Sequence, residues 1–260
     1  MSRFRRVWNS ALGRPTRGPN PGRPWKVWDL DSELRYAPVV DELPVSQLPV
    51  CEVGSGPRGL AGWTDRQVIG VDPGADDRHG GATEPPNMRR LVGDGANIPL
   101  PDDAACATVA VDTMEHIPQD FRHAVVSEML RVTQPGGKVI LIGPTGPEAA
   151  QGDRRVRDRW IGGGGPAPNL VWLDEHIALG LPTVEQLFSY MQDDRVASVR
   201  AHGVFNLWFW WTMHRAASGA FPLKYRTDYL HHFLWAPFAA AARRTRRGPF
   251  YRYIVVADLR

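Results

Sequence analysis

The stretch VCEVGSGPRG at 50–59, followed by VIGVDP at 68–73, decides how this chain is read. An apolar run ends in Glu52, a glycine turn follows at Gly54 and Gly56, and Asp72 closes the next apolar run. Glycine lets a backbone approach a ligand closely, and an acid on the neighbouring strand can bind both hydroxyls of a ribose. Two adjacent strands with a nucleotide site at their carboxyl ends are therefore expected.

Working outward, further short apolar runs bounded by Gly, Pro or Asp lie at 48–53, 67–72, 90–94, 106–112, 138–143, 196–204 and 253–258. Runs of this kind suit a parallel sheet covered on both faces. Helical spacing is clearest at 119–133, where Pro118 precedes Phe121, Val125, Met129 and Val132 and the run Pro135-Gly136-Gly137 closes the segment. A helix is also expected over 30–43, and Thr183 with Gln186 forms a capping box for another. Strands alternating with helices predict an α/β fold: a doubly wound, Rossmann-like sheet of seven mostly parallel strands, helices on both faces, and the last strand antiparallel.

Composition divides the chain into parts. Residues 1–28 carry Arg3, Arg5, Arg6, Arg14, Arg17, Arg23 and Lys26 without an acid, and read as a basic Pro/Gly-rich arm. Residues 243–260 carry six arginines against Asp258, so with a net charge of only +3 the middle of the chain is acidic. The core domain is expected over 29–260. Within it, 145–182 reads as a mobile loop because of its charged stretch and the glycines at 162–165. The segment 205–247 reads as an aromatic helical insertion ending in arginines, too short in its apolar bursts to span a bilayer. Aromatics beside arginines suit a membrane interface, so an anionic surface is expected to meet this insertion and the basic ends; nucleic acid is disfavoured. Packing against the domain, or an oligomer interface, is the alternative. The chain lacks the apolar core of a secretion signal, which points to the cytoplasm, at most peripheral to the inner face of the membrane. Its two cysteines, Cys51 and Cys106, sit in apolar runs and read as core thiols; no metal is expected.

The glycine pattern at Gly54, Gly56 and Gly59 would by itself admit a dinucleotide site. Glu52 stands where such a fold usually keeps an apolar residue, and Asp94 ends a third strand at the same crevice. Three acids, Glu52, Asp72 and Asp94, suit a cationic ligand better than a pyrophosphate. With these elements, GDGANIPLPDDA at 93–104, VAVDTMEHIP at 109–118 and LRVTQPGGKVILIGP at 130–144 follow in order.

Together they resemble the class I S-adenosylmethionine-dependent methyltransferase family, in its ubiquinone/menaquinone-biosynthesis-like subgroup, from about residue 49 to 144. The resemblance implies S-adenosylmethionine as cofactor, with Glu52 and the turn Gly54, Ser55, Gly56 toward its methionine end. It places Asp72 and Pro73 at the ribose, Asp94 at the adenine amino group, and Gly95 or Ala96 against the ring. Asp112, Thr113, Met114 and His116 are expected near the sulfonium, and Arg58 departs from the glycine frequent in the family. His116 is the candidate catalytic residue. His176, His231 and His232 read as surface or packing residues.

WLDEHIALGLPTVEQL at 172–187 resembles methyltransferases found with polysaccharide and lipid-linked glycan enzymes. That implies a small or lipid-linked acceptor, methylated on an oxygen of a glycan or amphiphile. Carbon methylation of a quinone-like ring, and a non-catalytic protein that binds the cofactor, are the alternatives.

Overall fold

The computed structural model describes residues 30–56, 59–74, 85–162, 170–215, 241–242 and 244–260. The basic arm, Arg58, His231, His232 and most of the segment 205–247 lie outside the described residues. Seven strands form one sheet: β1 Val50–Val53, β2 Val68–Asp72, β3 Met88–Val92, β4 Ala105–Val111, β5 Thr133–Pro144, β6 Val196–Asn206 and β7 Phe250–Leu259. Their spatial order is β3-β2-β1-β4-β5-β7-β6. The pairings from β3 to β5 are parallel, and β7 runs antiparallel to both β5 and β6. This is the doubly wound sheet that the strand–helix alternation predicts.

Side-chain alternation divides the core between the two faces. Val139 and Leu141 of β5 and Val255 and Ala257 of β7 join one cluster with Val125, Met129 and Leu187, whereas Ile140, Ile142, Ile254 and Val256 join another with Val39. All seven residues of β4 are buried, as befits the centre of a sheet covered on both sides. The edge strand β3 instead presents exposed Arg89, which discourages pairing with another chain. Helix α1, Leu30–Glu42, covers the Val39 face, and α2, Gln119–Val132, and α5, Val184–Tyr190, cover the opposite one. Thr183 caps α5 through the expected box: its Oγ1 accepts from the Gln186 amide, whose side chain accepts from the Thr183 amide.

Two boundaries depart from expectation. The run Pro135-Gly136-Gly137 lies inside β5, which starts at Thr133 directly after α2. Thr133 is buried, donates to the Met129 carbonyl and bonds the Thr108 hydroxyl at 2.7 Å, so the chain turns from helix to strand on side-chain hydrogen bonds.

The described part of 145–182 is helical rather than a mobile loop, with α3 at Gly146–Gly162 and α4 at Val171–Leu179. In α3 only Ala149, Gly152, Asp153 and Val156 are buried. They fall on one stripe by the helical period, but two of the four are not hydrophobic, which hides the pattern. Asp153 is the anchor, accepting from the Tyr251 hydroxyl at 2.7 Å and bonding His176 Nδ1 at 2.9 Å. Burial beside Asp153 pushes the Tyr251 phenol up from its ordinary pKa, so it remains a donor. The start of the expected aromatic insertion is likewise core: Phe205 is buried near the end of β6, next to its final residue Asn206, and Trp210, in α6 (Leu207–Arg215), stacks on Tyr251 at 3.8 Å.

Arg122 of α2 closes the fold around α4. Its buried guanidinium donates to the carbonyls of Ile117, Leu179 and Gly180, the last two at the end of α4. Arg122→Ala is expected to destabilise the protein by about 3 kcal/mol, because buried acceptors lose charged donors. Thr183→Ala should cost about 1 kcal/mol. Urea denaturation of both variants checks the ranking, and equal losses would contradict it.

Candidate active site

The carboxyl ends of β1, β2 and β4 open onto a cleft of about 1020 Å³. Its first half is built from the glycine turn. Gly54 has φ +73°, a left-handed value that favours glycine, and a Cβ there would come within 2.6 Å of the Thr113 side chain. Gly56 also has positive φ, +55°, but with open space beside it. The Gly56 amide donates to Asp72 Oδ2 at 3.1 Å and the Gly74 amide to Oδ1 at 3.3 Å, so one carboxylate holds two loop backbones at the cleft wall.

Of the residues singled out by sequence, Gly54, Gly56, Asp72, Pro73, Asp94, Gly95, Asp112, Thr113 and His116 line this cleft. Asp94 is exposed, and its Oδ1 accepts from the Ala96 amide at 2.9 Å. Gly95 lies so close to Val53 that a Cβ would come within 2.8 Å of the valine methyl. Val53, Val71 and Val125 supply an apolar slot beside these acids.

Glu52, Ser55, Ala96 and Met114 are placed elsewhere. Glu52 is fully buried beneath the turn, its Oε2 accepting from the Leu60 amide at 2.6 Å, and Tyr36 donates to the same carboxyl. It ties the loop to α1 instead of facing a ligand. Ser55 is buried and donates to the Gly56 carbonyl, Met114 packs in the core, and Ala96 leans on that core from the third loop.

Three arginines escaped the sequence reading. Arg252 of β7 is buried and grips Asp112 with two nitrogens, Nε to Oδ1 at 2.9 Å and Nη2 to Oδ2 at 2.6 Å. Arg35 of α1 stands 3.4 Å from the same carboxylate, and both Arg35 and Arg90 line the cleft. Arg252 belongs by composition to the basic end of the chain, and no local signal separates it from its solvated neighbours. Asp112 itself holds φ +46°, a strained value for a non-glycine residue, which this ion-pair cluster maintains.

The second half of the cleft is lined by Ile117, Pro118, Phe121 and, from α4, Val171, Trp172, Glu175 and Leu179. His116 stands here, its Nδ1 bonded to Glu175 Oε2 at 2.7 Å. Burial, with His176 adjacent, lowers its pKa, so the ring is neutral near pH 7. His176 is buried, a packing position of the two expected kinds, with its ring 4.9 Å from that of His116.

With this geometry in view, comparison with known proteins is direct. The family profile described as a methyltransferase domain matches residues 51–141, from β1 into β5. An uncharacterized methyltransferase of Mycobacterium sp. strain KMS is 31% identical over 124 residues, which is 43% of this chain and 48% of that protein. One from Mycobacterium leprae strain TN is 34% identical over 130 residues, 46% and 45% of the two chains. The chain thus spans about half the length of the relatives it matches. Among solved structures, geranyl diphosphate C-methyltransferase from Streptomyces coelicolor A3(2), in complex with Mg2+, geranyl diphosphate and S-adenosyl-L-homocysteine, superposes with a TM-score of 0.53. It shares 16% identity over 88% of this chain and 79% of that one. Phosphoethanolamine N-methyltransferase 2 of Haemonchus contortus gives 0.51 at 12% identity, over 98% of this chain and 56% of that one. These two likenesses establish the fold. Residues 51–141 are thus similar to the methyltransferase domain of these proteins.

Burial, opposed by the Leu60 and Tyr36 hydrogen bonds, raises the Glu52 carboxyl from 4.5 to about 8. The folded state therefore binds this proton more tightly than the unfolded chain, and the site's contribution to stability falls as pH rises from 4.5 towards 8. Glu52→Gln, which carries no titrating group, is expected to flatten that decline and to be the more stable form, relative to wild type, at pH 9 than at pH 5. Urea unfolding across that range checks it; parallel curves for the two proteins would refute it.

Proposed function

We propose that the chain is an S-adenosylmethionine-dependent methyltransferase acting on an oxygen of a small or lipid-linked amphiphile. The observation that carries this reading is a cleft with two chemically distinct halves. On one side the glycine turn, Asp72, Asp94 and the valine slot suit an adenosine. Asp112, held by Arg252 and beside Arg35, lines the same half, where the methionine end would lie. On the other side His116, steadied by Glu175, stands in an otherwise largely apolar wall.

Methyl transfer is an in-line displacement in which an acceptor lone pair bonds the methyl carbon and sulfur keeps the electrons of the broken C–S bond. Alignment in a desolvated cleft supplies much of the acceleration. A hydroxyl acceptor must also lose its proton, and a polar group in the acceptor wall is then needed. His116 fits that requirement and is the proposed catalytic residue. Glu175 is its positioning residue, since it holds Nδ1 and leaves the other ring nitrogen to act.

The rim favours an amphiphile. Phe121 and Val171 line the cleft yet are 59% and 47% exposed, so an apolar tail can lie across them. Exposed Trp208 and the arginines of 244–247 support work at an anionic membrane surface. Among the described residues no helix is long and apolar enough to cross a membrane.

Calorimetry is expected to detect S-adenosylmethionine binding that Asp72→Ala weakens by about 2 kcal/mol or more, as the carboxylate and both loop amides are lost together. Undiminished binding would remove Asp72 from the cofactor site. His116→Ala should leave cofactor affinity unchanged and lower kcat by about 10²–10⁴. Radiolabel from the cofactor's methyl group should enter a lipid or glycan extract as a base-stable ether; label on ring carbon would refute oxygen as the acceptor.

A further inference from the structure

We propose that Glu115, His116 and His176 bind one divalent transition-metal ion, of the Zn2+ type, in the acceptor wall of the cleft. A ligand atom from each of the three lies within 4.8 Å of the others. The stronger observation is what those atoms lack. Both carboxylate oxygens of Glu115 and the Nε2 of His176 are buried without a hydrogen-bond partner among the described residues, in side chains only 1% and 4% exposed. Glu115 Oε1 and His176 Nε2 face each other at 3.9 Å, too far for a hydrogen bond and near the separation of two ligands that share an ion about 2.0–2.2 Å from each. Unpaired polar atoms in such a place are costly, and one cation satisfies all three.

The surroundings carry the outer layer that metal-binding histidines require. His176 Nδ1 is held by Asp153 at 2.9 Å, and Asp153 is itself fixed by the Tyr251 hydroxyl. His116 Nδ1 is held by Glu175. Each carboxylate selects the tautomer that leaves the other ring nitrogen as a lone-pair donor. Glycine at 143 in β5 makes the room, since a Cβ there would come to 3.0 Å of Glu115 Oε2. Asp112 is excluded from the ligand set because Arg252 and Arg35 occupy its carboxylate.

Two imidazoles and one carboxylate are the donor set of a three-ligand zinc site with an open position. His116 is the member that lines the cleft, so the open position faces the acceptor half. This deepens the methyltransferase reading and rests on it in one respect: an acceptor hydroxyl would meet the ion, which would favour its ionisation, the proton passing to solvent through the open cleft, while His116 would hold the ion instead of taking the proton itself.

The test uses the full chain, stripped with chelator and titrated with Co2+, whose visible absorption reports coordination geometry, with Zn2+ as competitor. One ion per chain is expected, with an absorption band typical of four-coordinate nitrogen and oxygen ligands. Glu115→Gln and His116→Gln, the second at a partly exposed position that tolerates change, should each weaken binding by at least about 100-fold. Asp153→Asn should weaken it by about 10–100-fold, as for other outer-layer partners. No binding by wild type, or binding that all three substitutions leave unchanged, overturns the ion site. Calorimetry with S-adenosylmethionine on the same samples separates the two readings: cofactor binding without ion binding removes only the metal, and ion binding without cofactor binding removes the methyltransferase reading alone.

Discussion

The α4 wall of the cleft depends on one buried carboxylate. Asp153 lies on α3, which is otherwise a charged helix, and it joins three elements at once: its own helix, Tyr251 on β7 and His176 on α4. A buried acid without partners would be driven to protonate or to expose itself. Paired with a phenol and an imidazole, it instead pins α4 across the sheet end. Trp172, Glu175 and Leu179, carried by α4, then become cleft wall, and Arg122 fastens the far end of the helix through its terminal carbonyls. Without that anchor the cofactor half would remain, since it is made by loops that follow β1 and β2, but it would have no opposing wall.

Electrostatics separate the two halves. On the glycine-turn side, Asp112 is paired with Arg252 and Arg35, and Asp72 accepts from two backbone amides. At the acceptor side, Glu115 is fully buried, and desolvation together with Asp112 pushes its carboxyl well above the ordinary range. Asp153 and Glu175 stand beside the two imidazoles, His176 and His116 respectively.

The sheet was legible because its strands are covered on both faces, so the apolar runs at 48–53, 67–72 and 106–112, which overlap the strands at 50–53, 68–72 and 105–111, needed no periodicity to be recognised. The glycine turn and Asp72 were legible for a related reason, since backbone conformation and close approach restrict which residues can stand there. What escaped was whatever depends on distant partners. The buried stripe of α3 reads Ala, Gly, Asp, Val and looks like a solvated loop until Tyr251 and His176 are brought to Asp153. Arg252 looks like one more arginine in a basic tail until β7 inserts it beside Asp112. Glu52 misled in the other direction: its place before the first glycine suggested a ligand contact, but its carboxyl bonds the loop that the glycines create.

These observations bear on which chemistry the cleft can host. A methyl group moving from sulfur to an apolar carbon would need only alignment, and an all-apolar wall would provide it. The wall instead carries His116 and Glu175 within a rim of Phe121, Val171 and Trp172. Behind them Glu115 is fully buried, and neither of its carboxylate oxygens has a hydrogen-bond partner among the described residues. A hydroxyl-bearing amphiphile would suit such a wall: its tail would lie on the rim and its oxygen near His116, the group proposed to meet the proton that leaves as the methyl group arrives.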